Sequence, residues 1–493
     1  MQSSDQIRKG RLGGDRSSAV AEFLASMDAD RRMAYCDIRV DMAHILMLLR
    51  ENLIDKKSAQ LLLSHLHRYR TEGLPESVFD PNHEDIHAGI EAQLIADAGA
   101  DAGGRMHLGR SRNDEVATCL RMQTREDILE ILAGLAALRR ALIDQAAHHA
   151  TSIMPGFTHF QHAQPTTLAH YLLAYEAVFA RDFSRLTDAY RRLNESPLGS
   201  AAFAGTGFAI DRALTAAYLG FSAPMTNSMD GVASRDFILE VLSALSILMT
   251  NVSRLCEELV LWSSAFIRFV DLDDAYCSTS SIMPQKKNPD TAEIMRGKSG
   301  VASGELMAGI TLMKGLPMSY NRDMQDLTPH LWRSLDAAES SLPILADMIQ
   351  TASFNTARMA EESDRGNSTA TELADLMVRE FGMPFRTAHN IVGRAVKLGG
   401  LSLEIVETAG KEICGWSLIE KGLTKEHIDR ALSPLEMVEA KQSAGAPSPA
   451  MMRTAVAHAA AALDRDESAA AALRAALSAA DDKIESDYMR LTA

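Results

Sequence analysis

The residues best able to move protons or hold anions fall in a few short segments. Ser278-Thr279-Ser280-Ser281-Ile282-Met283-Pro284-Gln285-Lys286-Lys287-Asn288-Pro289 crowds four hydroxyls, two prolines, two lysines and an asparagine together. Proline breaks a helix interior, so this stretch is a loop. A hydroxyl beside fixed positive charge and amide donors makes a proton-transfer group within an anion cradle. The plainer reading is a polar connector. Gly156-Phe157-Thr158-His159-Phe160-Gln161-His162-Ala163-Gln164-Pro165 puts His159 ahead of a long helix that Pro165 could open. Helix starts attract anions, and an imidazole there is a candidate general acid or base. The plainer reading is a histidine bonded to backbone. His107-Leu108-Gly109-Arg110-Ser111-Arg112-Asn113-Asp114 offers two guanidinium forks for carboxylates. The plainer reading is two solvated or ion-paired arginines.

Two further patterns are weaker. His83-Glu84-Asp85-Ile86-His87 fits the zinc-hydrolase spacing H-E-x-x-H. Its neighbours are polar, and no third ligand follows closely, so no metal is expected. Gly205-Thr206-Gly207 follows no strand signal and does not read as a nucleotide loop.

The elements that must position these segments are helices. Between Pro165 and Pro197 there is neither proline nor glycine, and between Pro224 and Pro284 only Gly231. Runs of about 30 helical residues would be about 45 Å long. Val241, Leu245, Leu248, Val252, Leu255 and Leu259 recur at helical spacing, while Ile238, Leu242, Met249, Val260 and Leu261 make other faces apolar too. A rod apolar nearly all round is buried on most sides. One protomer would struggle to bury several, which predicts an oligomer with a shared bundle; the alternative is one large monomeric bundle. β signals are sparse. Three regions follow: 1–110, mixed and mostly helical; 111–361, the long rods and the proline-rich loop; 362–493, shorter helices and an Ala-rich tail from Thr454 to Leu491. The polar break Ser363-Asp364-Arg365-Gly366-Asn367 marks the second boundary.

Composition bounds the function. The 493 residues, 46% hydrophobic, suffice for a large core and more than one domain. A net charge of −15 argues against a nucleic-acid partner. Five cysteines, with no C-x-x-C pair, suit a reducing, cytoplasmic setting. No run approaches about 18 uninterrupted apolar residues, so no membrane span is expected. Met1-Gln2-Ser3-Ser4-Asp5 lacks the apolar core of a signal peptide.

Taken together, the segments resemble the shared blocks of the fumarase/aspartase superfamily. Ser280 to Pro289 resembles its signature, and Gln285-Lys286-Lys287-Asn288-Pro289 is similar to argininosuccinate lyases in particular. Gly109 to Asp114, Thr158 to Pro165, Glu84 to His87 and Met313-Lys314-Gly315-Leu316-Pro317 match further blocks in order. The resemblance runs from about Ser26 to the Val438-Glu439 region. It implies an all-α, three-domain fold with a long central bundle, assembled as a homotetramer whose active sites are shared between subunits. It implies no cofactor, and argininosuccinate as the small-molecule substrate, split into arginine and fumarate in the last step of arginine biosynthesis. A sister activity such as that of adenylosuccinate lyases, or a non-catalytic crystallin-like role, is the alternative.

The same resemblance implies the roles. Ser280 would be the base for the proton beside the carboxylate, activated by loop amides and Lys286, although the residues themselves leave open which of Ser280 and His159 takes and which gives the proton. His159, with Glu293 as its carboxylate partner, would serve the leaving nitrogen. Lys286 and Asn288 would hold a substrate carboxylate. Ser26, Asn113, Thr158, Tyr320 and Gln325 match substrate-binding positions, and Arg112 is an added carboxylate contact. Two positions depart from the pattern. Thr279 replaces a glycine, which would stiffen a turn and disfavour positive φ. Thr328 replaces a substrate-contacting lysine.

Overall fold

The computed structural model describes residues 17–492, and the all-helical expectation holds. The leading segment Met1 to Asp5, read above for a signal sequence, lies outside the described residues. Five rods dominate: Arg112–His148, Leu168–Leu193, Asp236–Ser263, Asp290–Met313 and Leu327–Thr351. The first has 37 residues and so runs about 55 Å. Its start is fixed by a capping box. The Ser111 hydroxyl accepts the Asn113 N–H at 3.3 Å, and the Asp114 carboxylate accepts the Ser111 N–H at 2.9 Å.

The rods alternate in direction. Gln145, near the end of the first, donates to the Ile349 and Gln350 carbonyls at 3.1 and 3.0 Å. Arg121, near its start, donates to the Leu193 carbonyl at 2.9 Å and the Ser234 hydroxyl at 3.0 Å. The Asp236–Ser263 rod buries Val241, Leu245, Leu248, Val252, Leu255 and Leu259, as its periodicity requires. It packs against the 168–193, 290–313 and 327–351 rods. Among the described residues it is the helix long and apolar enough to cross a bilayer, with a hydropathy of 1.4, and half of that window is buried within the protomer.

Two departures from the sequence reading concern connections. Pro165 does not open a helix. Ile153–Thr158 and Gln161–Thr167 form an antiparallel hairpin, and the 168–193 rod begins after it, capped by Thr167. The hairpin turns on His159 and Phe160, both at φ +57. A two-residue turn matches the right-handed strand twist when both its residues lie in that left-handed region. Secondly, the small sheets are pairs only, including 278–279 with 287–288.

Packing groups the buried apolar residues into two cores. One continuous core joins residues from Met27 to Met359, across the boundary read at 110. A second core, Leu373 to Ala431, belongs to a separate small helical unit. The Ala-rich tail departs from that unit. Its helix, Pro449–Thr492, lies along the rods and buries Met452, Leu463, Leu477, Ile484 and Tyr488 in the main core. Ion pairs fasten it: Arg139 to Asp466 at 2.7 Å, Arg140 to Asp464 at 2.7 Å and Arg39 to Asp481 at 2.8 Å. The tail looks alanine-rich and generic in sequence because those few large residues, spaced along 44 positions, carry its docking.

Leu463 is fully buried between tail and rods. Leu463→Ala should therefore destabilise the protein by about 2–5 kcal/mol, seen as a lower unfolding temperature. An unchanged melting curve would mean that the tail is not part of the core.

Candidate functional site

Of the residues expected to bind substrate, Ser26, Arg112, Asn113, Tyr320 and Gln325 gather at the end of the bundle where the 112–148 rod starts, while Thr158 and Asn288 lie at the other end. Ser26 donates its N–H to the Glu84 carbonyl at 2.9 Å and its hydroxyl to Asp30 Oδ2 at 2.6 Å. Gln325 Nε2 donates to the Leu24 carbonyl at 3.2 Å, and Arg322 Nη2 donates to the same oxygen at 2.7 Å while pairing with Glu84. Tyr320 is mostly withdrawn from solvent here; burial raises its phenol, against the nearby Arg235 and Arg322 guanidinium charges. Asn113 Nδ2 donates to the Ala202 carbonyl at 3.0 Å, leaving Oδ1 and one N–H for a ligand.

The two arginines of the 107–114 segment divide between the two readings. Arg110 is buried, paired with Asp41 and, at 3.0 Å, with Glu115. It is structural. Arg112 is partly exposed and reaches Asp85 at 3.4 Å and Glu91 at 3.8 Å. A substrate carboxylate at Arg112 must compete with these acids.

The zinc spacing does not survive folding. The helix Ile86–Ala98 starts after its Asp85 cap, so His83 lies outside it. His87 instead meets Asp37 at 2.9 Å in the buried network of Asp37, Asp41, Glu115 and Arg110. Burial opposes charge on His87, but the Asp37 carboxylate outweighs it and holds the imidazolium well above its usual range. Asp37, His87 and Cys119, or Asp37, Asp41 and Glu115, are close enough to share a cation. Arg110 and the His87 imidazolium set two positive charges against these three acids, and burial raises the Glu115 carboxyl.

Proton-transfer candidates lie at the opposite end of the rods. Thr158 and His159 are exposed at the hairpin tip. The segment around Ser280 closes into a loop, because Ser278 and Thr279 pair with Asn288 and Lys287. The Ser280 Oγ accepts the Ile282 N–H at 3.3 Å and the Met283 N–H at 3.1 Å. Two N–H donors on one hydroxyl oxygen favour negative charge there. Lys287 is anchored to Asp271 at 3.0 Å and Asp274 at 2.7 Å. Lys286 is exposed and has no ion-pair partner among the described residues. Glu293 is exposed in the first turn of the 290–313 rod. Thr279 sits in an extended strand pair rather than a positive-φ turn, and a β-branched residue suits that place. Thr328 is buried in the 327–351 rod.

Hairpin and loop share this end through Phe354. Its ring lies edge-on to His149 at 5.4 Å and to Trp262 at 6.5 Å, and its strand pairs with Val270 and Asp271. Asn113 and the hairpin that carries His159 attach to opposite ends of the 37-residue 112–148 rod, about 55 Å long, and Asn288 and Tyr320 flank opposite ends of the 24-residue 290–313 rod, about 36 Å long. One small molecule cannot touch both groups within one chain.

Asp30 was not singled out by sequence reading. It lies four residues after Ser26, the helix-start spacing at which a hydroxyl meets a carboxylate, and only tertiary packing buries it. Burial pushes its carboxyl up to about 6, against the His87 charge and the Ser26 hydrogen bond. Glu84 was seen only as part of a motif, and Arg322 not at all; their meeting depends on contacts more than 200 positions apart in sequence.

Residues 10–304 match the family described as lyase, and residues 367–439 the family described as argininosuccinate lyase C-terminal. The second match coincides with the small C-terminal core. An argininosuccinate lyase of Methanocorpusculum labreanum is 63% identical over 99% of both chains. One of Methanoculleus marisnigri is 56% identical over 99% of this chain and 100% of its own. In structure, an EDDS lyase in complex with formate superposes with a TM-score of 0.84 at 28% identity, covering 98% of this chain and 97% of that one. A class II fumarase of Schistosoma mansoni shares the fold, with a TM-score of 0.71 at 16% identity over 86% of this chain and 95% of that one.

The Asp30 shift gives a signed prediction. A carboxyl raised by folding favours the folded state fully below pH 3.8, and that contribution is lost as pH rises through about 6. Asp30→Asn should therefore raise the melting temperature at pH 8, by up to about 3 kcal/mol of stability, and give no gain at pH 4. Equal effects at both pH values would contradict the burial argument.

Proposed function

This chain belongs to the argininosuccinate lyase family, and from that premise we propose that it cleaves argininosuccinate to L-arginine and fumarate by β-elimination. The observation that carries the mechanism is the Ser280 hydroxyl held under two backbone N–H groups, in a loop that also carries Lys286. A serine hydroxyl is too weak an acid to ionise alone near neutrality. The two amide donors and the lysine cation favour its alkoxide. Ser280 Oγ takes the proton from the carbon beside the succinyl carboxylate. The electron pair left behind forms the double bond of fumarate as the C–N bond breaks. The departing guanidino nitrogen receives a proton from His159, which Glu293 orients. Lys286 and Asn288 hold a carboxylate of the succinyl part. Ser26, Asn113, Thr158, Tyr320 and Gln325 hold the remainder, with Arg112 as a further carboxylate contact. No cofactor enters these steps.

The catalyst in this reading is a homotetramer. Its support is the rod geometry: complementary halves of the site stand at opposite ends of each chain, so antiparallel neighbours complete one another. The 290–313 rod also exposes Ile294 and Val301 on one face, beside Gly297 and Gly304, whose neighbourhood is open, and Met307 and Ile310 on another. Small residues let another helix approach closely along such a stripe. Burial between chains would account for the apolar half of the 236–263 rod without a membrane. We place the enzyme in the cytoplasm, in arginine biosynthesis; its five free cysteines suit a reducing compartment. The acidic balance of the chain is consistent with a small-molecule substrate rather than nucleic acid.

Incubation with argininosuccinate, followed by fumarate absorbance, tests the reaction directly; turnover of adenylosuccinate instead would overturn the substrate. Ser280→Ala should lower kcat by roughly 10²–10⁴-fold with the fold intact. The shared site has its own test. Ser280→Ala and Asn113→Ala chains, unfolded and refolded together, leave about one quarter of sites with neither change, by random mixing in a symmetric oligomer. At subsaturating substrate the mixture should exceed the average of the separate samples several-fold. No excess would mean that each chain builds its site alone.

A further inference from the structure

The turn at residues 199–201 is held from both sides in an unusual way. On its N–H side, Asp114 Oδ2 accepts from Gly199 at 2.9 Å and from Ala201 at 2.8 Å, while Oδ1 accepts from Ser111 at 2.9 Å. On its carbonyl side, Arg212 donates to the Leu198 carbonyl at 2.9 Å and to the Ser200 hydroxyl at 3.3 Å. Asp114 is fully buried. Ala201 stands at φ +52, a region costly for a residue with a Cβ, so the turn needs external fixing. Gly199 admits no side chain, since a Cβ would come within 2.6 Å of Arg212 Cγ. The next residue, Ala202, presents the carbonyl that receives Asn113 Nδ2.

We propose that Asp114 is a positioning residue of the substrate site: it rivets the 199–201 turn to the start of the 112–148 rod, so that the Ala202 carbonyl orients the Asn113 amide for substrate. Helix capping alone needs only the Ser111 contact. The two further N–H groups come from a turn 85 and 87 positions away, and their consequence is the placement of one carbonyl. Asp114 touches no substrate itself; it acts through Asn113. This inference rests on the reading of Asn113 as a substrate contact.

The test uses the full-length protein, Asp114→Asn, Asn113→Ala and the double variant, each checked for melting temperature and oligomeric state. Amide hydrogen exchange at Gly199 and Ala201 should quicken at least tenfold in Asp114→Asn. KM for argininosuccinate should rise at least tenfold in both single variants, with kcat within threefold, and the double variant should match Asn113→Ala. Non-additivity of this kind marks one residue acting through another. Unchanged exchange, unchanged KM in Asp114→Asn, or losses that multiply in the double variant would each overturn the proposal. If the parent chain does not turn over argininosuccinate, the proposed activity fails, and the exchange measurement alone still decides whether the rivet exists. Should Asp114→Asn not fold, Arg212→Met frees the same turn from its carbonyl side, and its KM increase must likewise vanish in the Asn113→Ala background.

Discussion

Rod length is the constraint on which the rest of this structure depends. An α-helix rises 1.5 Å per residue and does not fold back on itself. A 37-residue helix therefore fixes a separation that no loop movement can close. Ser26, Asn113, Tyr320 and Gln325 stand at one end of the bundle, and His159 and Ser280 at the other. A small molecule does not span that length, which is why the proposed site draws on more than one chain.

Each end is built differently. The gripping end is over-determined. Arg110, Asp41, Glu115, Asp37 and His87 form a buried ionic network under the start of the long rod. Buried charges are expensive to desolvate, and removing one partner of such a set leaves another uncompensated. That rigidity suits a region that must hold several side chains in register. The proton-moving end is open. His159 occupies a two-residue hairpin tip, and Ser280 a short loop whose base alone is paired. Groups there remain available to meet a neighbour.

Legibility in the sequence followed the range of the interactions. The helical spacing from Phe237 to Leu259 is local, and it read correctly. Pro165 misled because proline at a helix start and proline in a strand look alike until the partner strand is known. Thr279 misled in the other direction: a turn was expected where pairing with Lys287 makes an extended residue. The alanine tail gave its helix but not its address, since docking rests on a few large side chains and on acids that find arginines more than 300 positions away. Asp30 and Arg322 went unread because their roles arise from contacts between distant segments.

The sequence by itself determined the class of fold and the family, and marked the candidate segments, because periodicity and short motifs are properties of neighbouring residues. Only the tertiary structure decided which residues share an end of the bundle, which arginine is partly exposed and which acid is buried. Those are matters of distance between remote segments, and distance is set by packing rods of fixed length against one another.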